Sequence, residues 1–142
     1  MNSEPMTDKP QITYRNTDLD LVASRSLESL ASELETLGVN GRITHGEDGF
    51  WYVGDAGGIE SEPSIVQLLN AIESLSESGR EIWAECSKRE FDVGYDCGDE
   101  PWSFNQGLSN DTLRRMAACG ATFRITLYPF RPEDSSDRVP KN

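Results

Sequence analysis

The chain has one histidine, His45, and three cysteines, Cys86, Cys97 and Cys119, which are widely spaced and include no CxxC pair. That scarcity argues against a zinc site of ordinary ligand spacing. It also leaves no nucleophile–base pair evident in the sequence; Cys97 and His45 would act together only if the fold brought them into contact. The odd cysteine count and the lack of an apolar stretch after Met1 speak against a secreted disulfide scaffold and lead us to expect a cytoplasmic protein of bacterial type. No apolar run approaches the roughly 20 residues that a membrane-spanning helix requires. The glycine-rich stretch Asp55–Gly58 lacks both GxGxxG and GxxxxGK, and Asp96, Asp99 and Glu100 miss the alternating-ligand spacing of a calcium loop. The expectation is a protein without metal, cofactor or catalytic constellation, and so not an enzyme.

Basic residues are also scarce. There are 13 Lys and Arg against 25 Asp and Glu in 142 residues, a formal net charge of -12. Residues 1–10 carry -1 and residues 129–142 carry zero, which leaves -11 of the -12 on the body between them. A field of that sign repels phosphate backbones and anionic membranes, so neither nucleic acid nor membrane is expected as a partner. It favours solubility or a basic protein partner. The oligomeric state is not legible at this level.

What is present is an orderly alternation of strand and helix patterns. Residues 1–10 and 129–142, rich in Pro, Ser and charge, read as flexible tails around a single domain at 11–128. Within it, Asp18–Ser24 alternates apolar and acidic residues with the period of a half-buried strand. Ser26 is placed to cap a helix striped by Leu27, Leu30, Ala31, Leu34 and Leu37 and stopped at Gly38. Arg42–His45 and Phe50–Gly54 flank a Gly-bounded turn, the pattern of a hairpin, and one of Trp51 and Tyr52 must face the core. Pro63 suits the first turn of a second helix carrying Ile65, Leu68, Leu69, Ile72 and Leu75. Ser78 with Glu81 resembles a capping box before Ile82, Trp83 and Cys86. Glu90–Asp96 alternates as a strand. Ser109 caps a last helix, with Leu108 and Leu113 in staple positions and Gly120 as its stop, before a strand alternating Phe123, Ile125 and Leu127.

This order predicts an α+β fold: a ferredoxin-like split βαβ sheet of about five strands, mainly antiparallel, with helices on one face. The first and fourth strands would be neighbours. A crossover would set the fifth strand parallel to the fourth, if it lies beside it.

Two candidate surfaces follow. If the apolar sides of the strands face the helices, Asp18 and Asp20 meet Glu90 and Asp92 across adjacent strands on the opposite face. Like charges so placed destabilise a sheet by roughly 0.2–1 kcal/mol each unless compensated. Arg124, Lys88 and Arg89 are internal candidates for that role; a basic partner or a divalent cation is the external one. The second surface is the loop Cys97–Gly107. There Asp96, Asp99 and Glu100 supply charge, Trp102 and Phe104 aromatic anchors, and Asn105 and Gln106 hydrogen bonds, the mixture found at interface centres. The same loop could be a flap over the core edge. It also abuts the start of the Ser109 helix, whose free N–H groups could receive an anion or small ligand.

The carboxy-terminal half, YDCGDEPWSFNQGLSNDTLRRMAACGATFRITLYP, resembles an uncharacterised family of small bacterial α+β domains. The shared features are the strand Phe91–Asp96, an aromatic and Gly loop with Trp102 and Phe104, Leu108-Ser109 opening a helix, Gly120, and a strand ending at Tyr128. Some members of that family are immunity proteins beside bacterial toxins. The resemblance implies an acidic protein-interaction module, in its concrete form an immunity protein neutralising a basic toxin; it carries over no catalytic residue.

Overall fold

The computed structural model describes residues 9–131; the ends of both expected tails, 1–8 and 132–142, lie outside the described residues. Five strands and four helices follow in the order β1 (Thr13–Ala23), α1 (Glu28–Thr36), β2 (Asn40–Gly46), β3 (Gly49–Asp55), α2 (Ser61–Glu73), α3 (Glu77–Glu85), β4 (Lys88–Asp96), α4 (Asn110–Ala118) and β5 (Thr122–Tyr128). The fold is α+β. No described helix is long and apolar enough to cross a membrane.

The strands form one sheet in the order β2-β3-β1-β4-β5. β1 lies between β3 and β4 and is antiparallel to both, and β2 and β3 form the hairpin. β4 and β5 run parallel. The sheet is therefore mixed, where a mainly antiparallel one was expected. The reason is α4, which carries the chain back across the sheet before β5 begins, and a return of that kind aligns the flanking strands.

Alternation sorts the side chains into two layers. Leu19, Leu21, Ala23, Tyr52, Phe91, Val93 and Tyr95 are buried with Leu27, Leu30, Leu34, Ile65, Leu68, Leu69 and Ile72 from the α1 and α2 segments in one continuous core. The intervening residues of β1, β3 and β4 face the other way. Of the adjacent aromatic pair, Tyr52 enters the core and Trp51 stays out. Tyr52 lies against a cross-strand glycine pair, Gly41 and Gly54, where an added Cβ would stand 2.3 Å from its side chain. Its buried hydroxyl has no hydrogen-bond partner among the described residues, and burial pushes its pKa up to about 12.

Two helix starts differ from the sequence expectation. The Ser26 hydroxyl does accept the Glu28 N–H at 3.2 Å, but the capping position is Leu27. α3 is capped by Ser76, not Ser78: its hydroxyl accepts the Gly79 N–H at 3.1 Å. Glu33 of α1 decides this. Its carboxylate accepts both the backbone N–H and the hydroxyl of Ser76, which fixes Ser76 at the entry. A partner 43 residues away leaves no local trace in sequence.

Candidate functional site: the open sheet face and the Trp102 loop

The face of the sheet away from the helices is built by register. Asp18 stands opposite Asp92 and Asp20 opposite Glu90, so the four acidic residues expected together do share one face. β3 adds Trp51, Val53 and Asp55 to it, with Asp20 opposite Val53. Asn16 links the two sides by donating to Asp18 at 2.8 Å and to Asp55 at 3.4 Å. Beside them a shallow hollow of about 350 Å³ is lined by Asp18, Asp55, Arg42, Asn40, Val53 and the glycine pair.

Compensation is uneven across this face. Glu90 holds an ion pair with Arg124 at 2.8 Å and with Lys88 at 3.4 Å. Burial alone would raise its pKa, but the hydrogen bond from Arg124 and the charge of Lys88 outweigh it and hold the carboxyl below its ordinary value. Arg89, the third expected compensator, faces the other way. It donates to the carbonyls of Trp83, Ala84, Cys86 and Gly120, and so closes the end of α3. Asp18, Asp20, Asp55 and Asp92 have no ion-pair partner among the described residues. Partial burial first, then the charges of Asp20, Asp55 and Asp92, push the Asp18 pKa up to about 6. Asp20 is raised by burial and by Asp92. The cost of crowded carboxylates thus stays in the fold.

At the far end of β1 a register shift between Tyr14 and Asn16 marks a bulge at Arg15. Its guanidinium reaches Asp96 at 2.8 Å and lies 4.5 Å above the Tyr128 ring. Asp96 is thereby paired on the open face, apart from the loop residues it was grouped with.

The loop itself divides. Phe104 packs edge-on against Tyr95 at 5.4 Å, and the Gln106 carbonyl oxygen accepts the Tyr95 hydroxyl at 2.7 Å and the Ser61 hydroxyl at 2.8 Å. These two residues hold the loop down on the helix side as a flap. Trp102 is 97% exposed and Asp99 and Asn105 are exposed. Glu100 pairs with Lys9 at 3.8 Å, and its backbone carbonyl accepts the Ile12 N–H, so the amino-terminal segment ties down the loop base. Asp96 and the six loop residues grouped with it do not converge on one surface.

The start of α4 is already occupied. Ser109 caps it, accepting the Thr112 N–H at 3.2 Å, while the Glu62 carboxylate of α2 accepts the Ser109 N–H at 3.0 Å and the Thr112 hydroxyl at 2.7 Å. These hydrogen bonds, that of Thr112 foremost, lower the Glu62 pKa. An external anion would have to displace this internal one.

His45 stacks on Phe50 at 4.1 Å at the hairpin end of the sheet. Cys97 follows β4 at the other end. Phe50 pairs with Ala23 and Asp96 with Thr13, so the two are separated by the full length of β1, about 33 Å at strand rise.

Sequence reasoning missed Asp55, Asn16, Trp51 and Val53 on the open face. The signal was there for three of them: Trp51, Val53 and Asp55 follow the same two-residue period as Asp18 and Asp20. Only pairing places the two sets together. Compared with protein-family models, with curated proteins and with solved structures, the chain matches none.

Proposed function

We propose that this protein is a non-enzymatic, acidic interaction module that receives a basic segment of a partner protein on its open sheet face. The observation that carries this reading is the set of four carboxylates, Asp18, Asp20, Asp55 and Asp92, without ion pairs among the described residues, in the middle of a face no described helix covers. A partner's lysine or arginine would relieve their mutual repulsion, and the exposed Trp51 and Val53 beside them would supply apolar contact. The net charge of -12 would steer the encounter. Trp102, Asp99 and Asn105 extend the reading to the loop, where Trp102 offers an exposed aromatic anchor.

The concrete form is a bacterial, cytoplasmic immunity protein that neutralises a basic toxin, in keeping with the resemblance carried by Phe91–Tyr128. The strand order supports a ferredoxin-like core extended by one helix–strand unit. The alternative, an anion or small ligand at the start of α4, is weakened by Glu62, which fills that position.

The test is a titration of the isotope-labelled chain with a lysine- and arginine-rich peptide, followed residue by residue by NMR. Shifts should gather on Asp18, Asp20, Asp55, Asp92 and Trp51, and Asp18→Asn with Asp92→Asn should weaken binding about tenfold, about 1.4 kcal/mol. Shifts spread evenly over the whole surface, or unchanged affinity in the double variant, would sink the reading. For the immunity form, co-expression should rescue growth from a basic toxin encoded beside the gene.

A further inference from the structure

β5 is the last strand of the sheet, so one backbone edge has no partner among the described residues. Its helix-side residues are uncovered as well: Phe123, Ile125 and Leu127 are 45%, 56% and 60% exposed. They continue into two adjoining clefts. One, of about 400 Å³, is walled by Ile12, Tyr95, Phe104 and Gln106 together with Ile125 and Leu127. The other, of about 240 Å³, lies between Leu108, Leu113 and Phe123. Leu113 is 51% exposed, and Ala117 is exposed one turn further along α4. A free strand edge beside an apolar strip is what strand addition uses.

The occupant follows from the sequence of the strand. Thr122–Tyr128, TFRITLY, contains no carboxylate and no proline in a chain of net charge -12. It is also self-complementary. An antiparallel register centred on Ile125 sets Ile125 against itself, Phe123 against Leu127, Arg124 against Thr126 and Thr122 against Tyr128. All three apolar contacts fall on one face, and no like charges stand directly opposite each other. On the polar face Arg124 keeps Nε on Glu90 at 2.8 Å, while Thr126 donates to Asp92 at 2.6 Å. The register therefore sets Arg124 of one copy opposite the uncharged Thr126 of the other. Residues 1–8 and 132–142, mainly polar and charged in sequence, offer no alternating apolar strip to match it.

We infer that this chain forms a two-fold dimer through β5, the free edges pairing antiparallel about Ile125 so that the apolar strips of two copies meet. Such a closed contact uses the same patch twice and does not propagate. The axis stands across the sheet, so both acidic faces lie on the same side of one continuous sheet. A partner with two basic segments would gain from both at once.

Sedimentation equilibrium of the full chain, from nanomolar to high micromolar concentration, tests this. The wild type should move to twice the chain mass as concentration rises, and β5 amides should gain hydrogen-exchange protection over the same range. Ile125→Asp and Ile125→Lys should each be folded monomers by circular dichroism. Mixed together they should dimerise, since the two charges then face each other. A wild type that stays monomeric throughout overturns the inference, whether or not an apolar small molecule fills the groove. So does a dimer that Ile125→Asp leaves intact, or a mixture of the two variants that stays monomeric. The exchange readout stands even if a variant misfolds.

Discussion

Arg-Ile-Thr occurs twice in this chain, as Arg42-Ile43-Thr44 on β2 and as Arg124-Ile125-Thr126 on β5, the two edges of the sheet. In both copies the register turns arginine and threonine to the open face and isoleucine to the helix side. Their surroundings differ. α1 packs against β2, and Ile43 joins the core from its margin. α4 instead leans on α2: Arg115 grips Glu73 at 2.8 Å and Asn70 at 2.8 Å, and Glu62 holds its first turn. With α4 seated on α2, Ile125 is left 56% exposed. The same three residues thus have their isoleucine partly covered at one edge and exposed at the other. What distinguishes them is which neighbour the covering helix prefers.

The sharpest way to break this comparison is to place a charge in each copy. Ile43→Asp should cost about 3 kcal/mol, because a carboxylate would enter the core margin. Ile125→Asp should change the stability of the monomer by less than about 0.5 kcal/mol. Urea melts at a concentration too low for association check both. Equal losses would mean the two edges are covered alike.

Glycine substitutions extend the contrast inward. Gly54→Ala should cost about 2 kcal/mol, since its Cβ would fall 2.3 Å from the buried Tyr52 hydroxyl. Gly94→Ala, beside β5, meets Tyr128 at 3.2 Å, and that ring is exposed enough to move. Its cost should stay below about 1 kcal/mol. Thermal melts of the pair measure the difference.

A smaller effect depends on pH. Asp18 binds its proton more tightly folded than unfolded, its pKa rising from 3.8 to about 6. The protonated group therefore favours the fold below the unfolded value, and that contribution is lost as pH rises through about 6. Asp18→Asn should stabilise the protein by about 1 kcal/mol at pH 8, a figure reduced for partial solvent exposure, and by nothing measurable at pH 3. Chemical melts at the two pH values decide it; a gain of equal size at both would assign the effect to packing. The smallest change expected is Tyr52→Phe, within about 0.5 kcal/mol of neutral. It deletes a buried hydroxyl that has no hydrogen-bond partner among the described residues, and a partner would make the loss larger.

Much of this architecture can be read from local pattern. The alternation in Asp18–Ser24, the stripe from Leu27 to Leu37, and Ser109 with Gly120 around the last helix each follow from the backbone's own needs. Even the meeting of Asp18 and Asp20 with Glu90 and Asp92 follows once the strands are taken as neighbours. The loop was less legible. Trp102 and Phe104 are two residues apart and chemically alike, yet one is 97% exposed and the other packs on Tyr95. Arg89 and Arg124 were both candidate partners for the acidic face, and strand phase sends only Arg124 there.

Composition and periodicity thus determined the charge, the strand and helix segments and the face each residue would take, because these depend on spacing along one chain. The tertiary structure alone decided which faces are covered. Glu62 fills the start of α4, Glu33 fixes the cap of α3, and α4 rests on α2 and leaves β5 bare. Each of these rests on a contact between residues far apart in sequence, and the energy of such a contact exists only after the chain has folded.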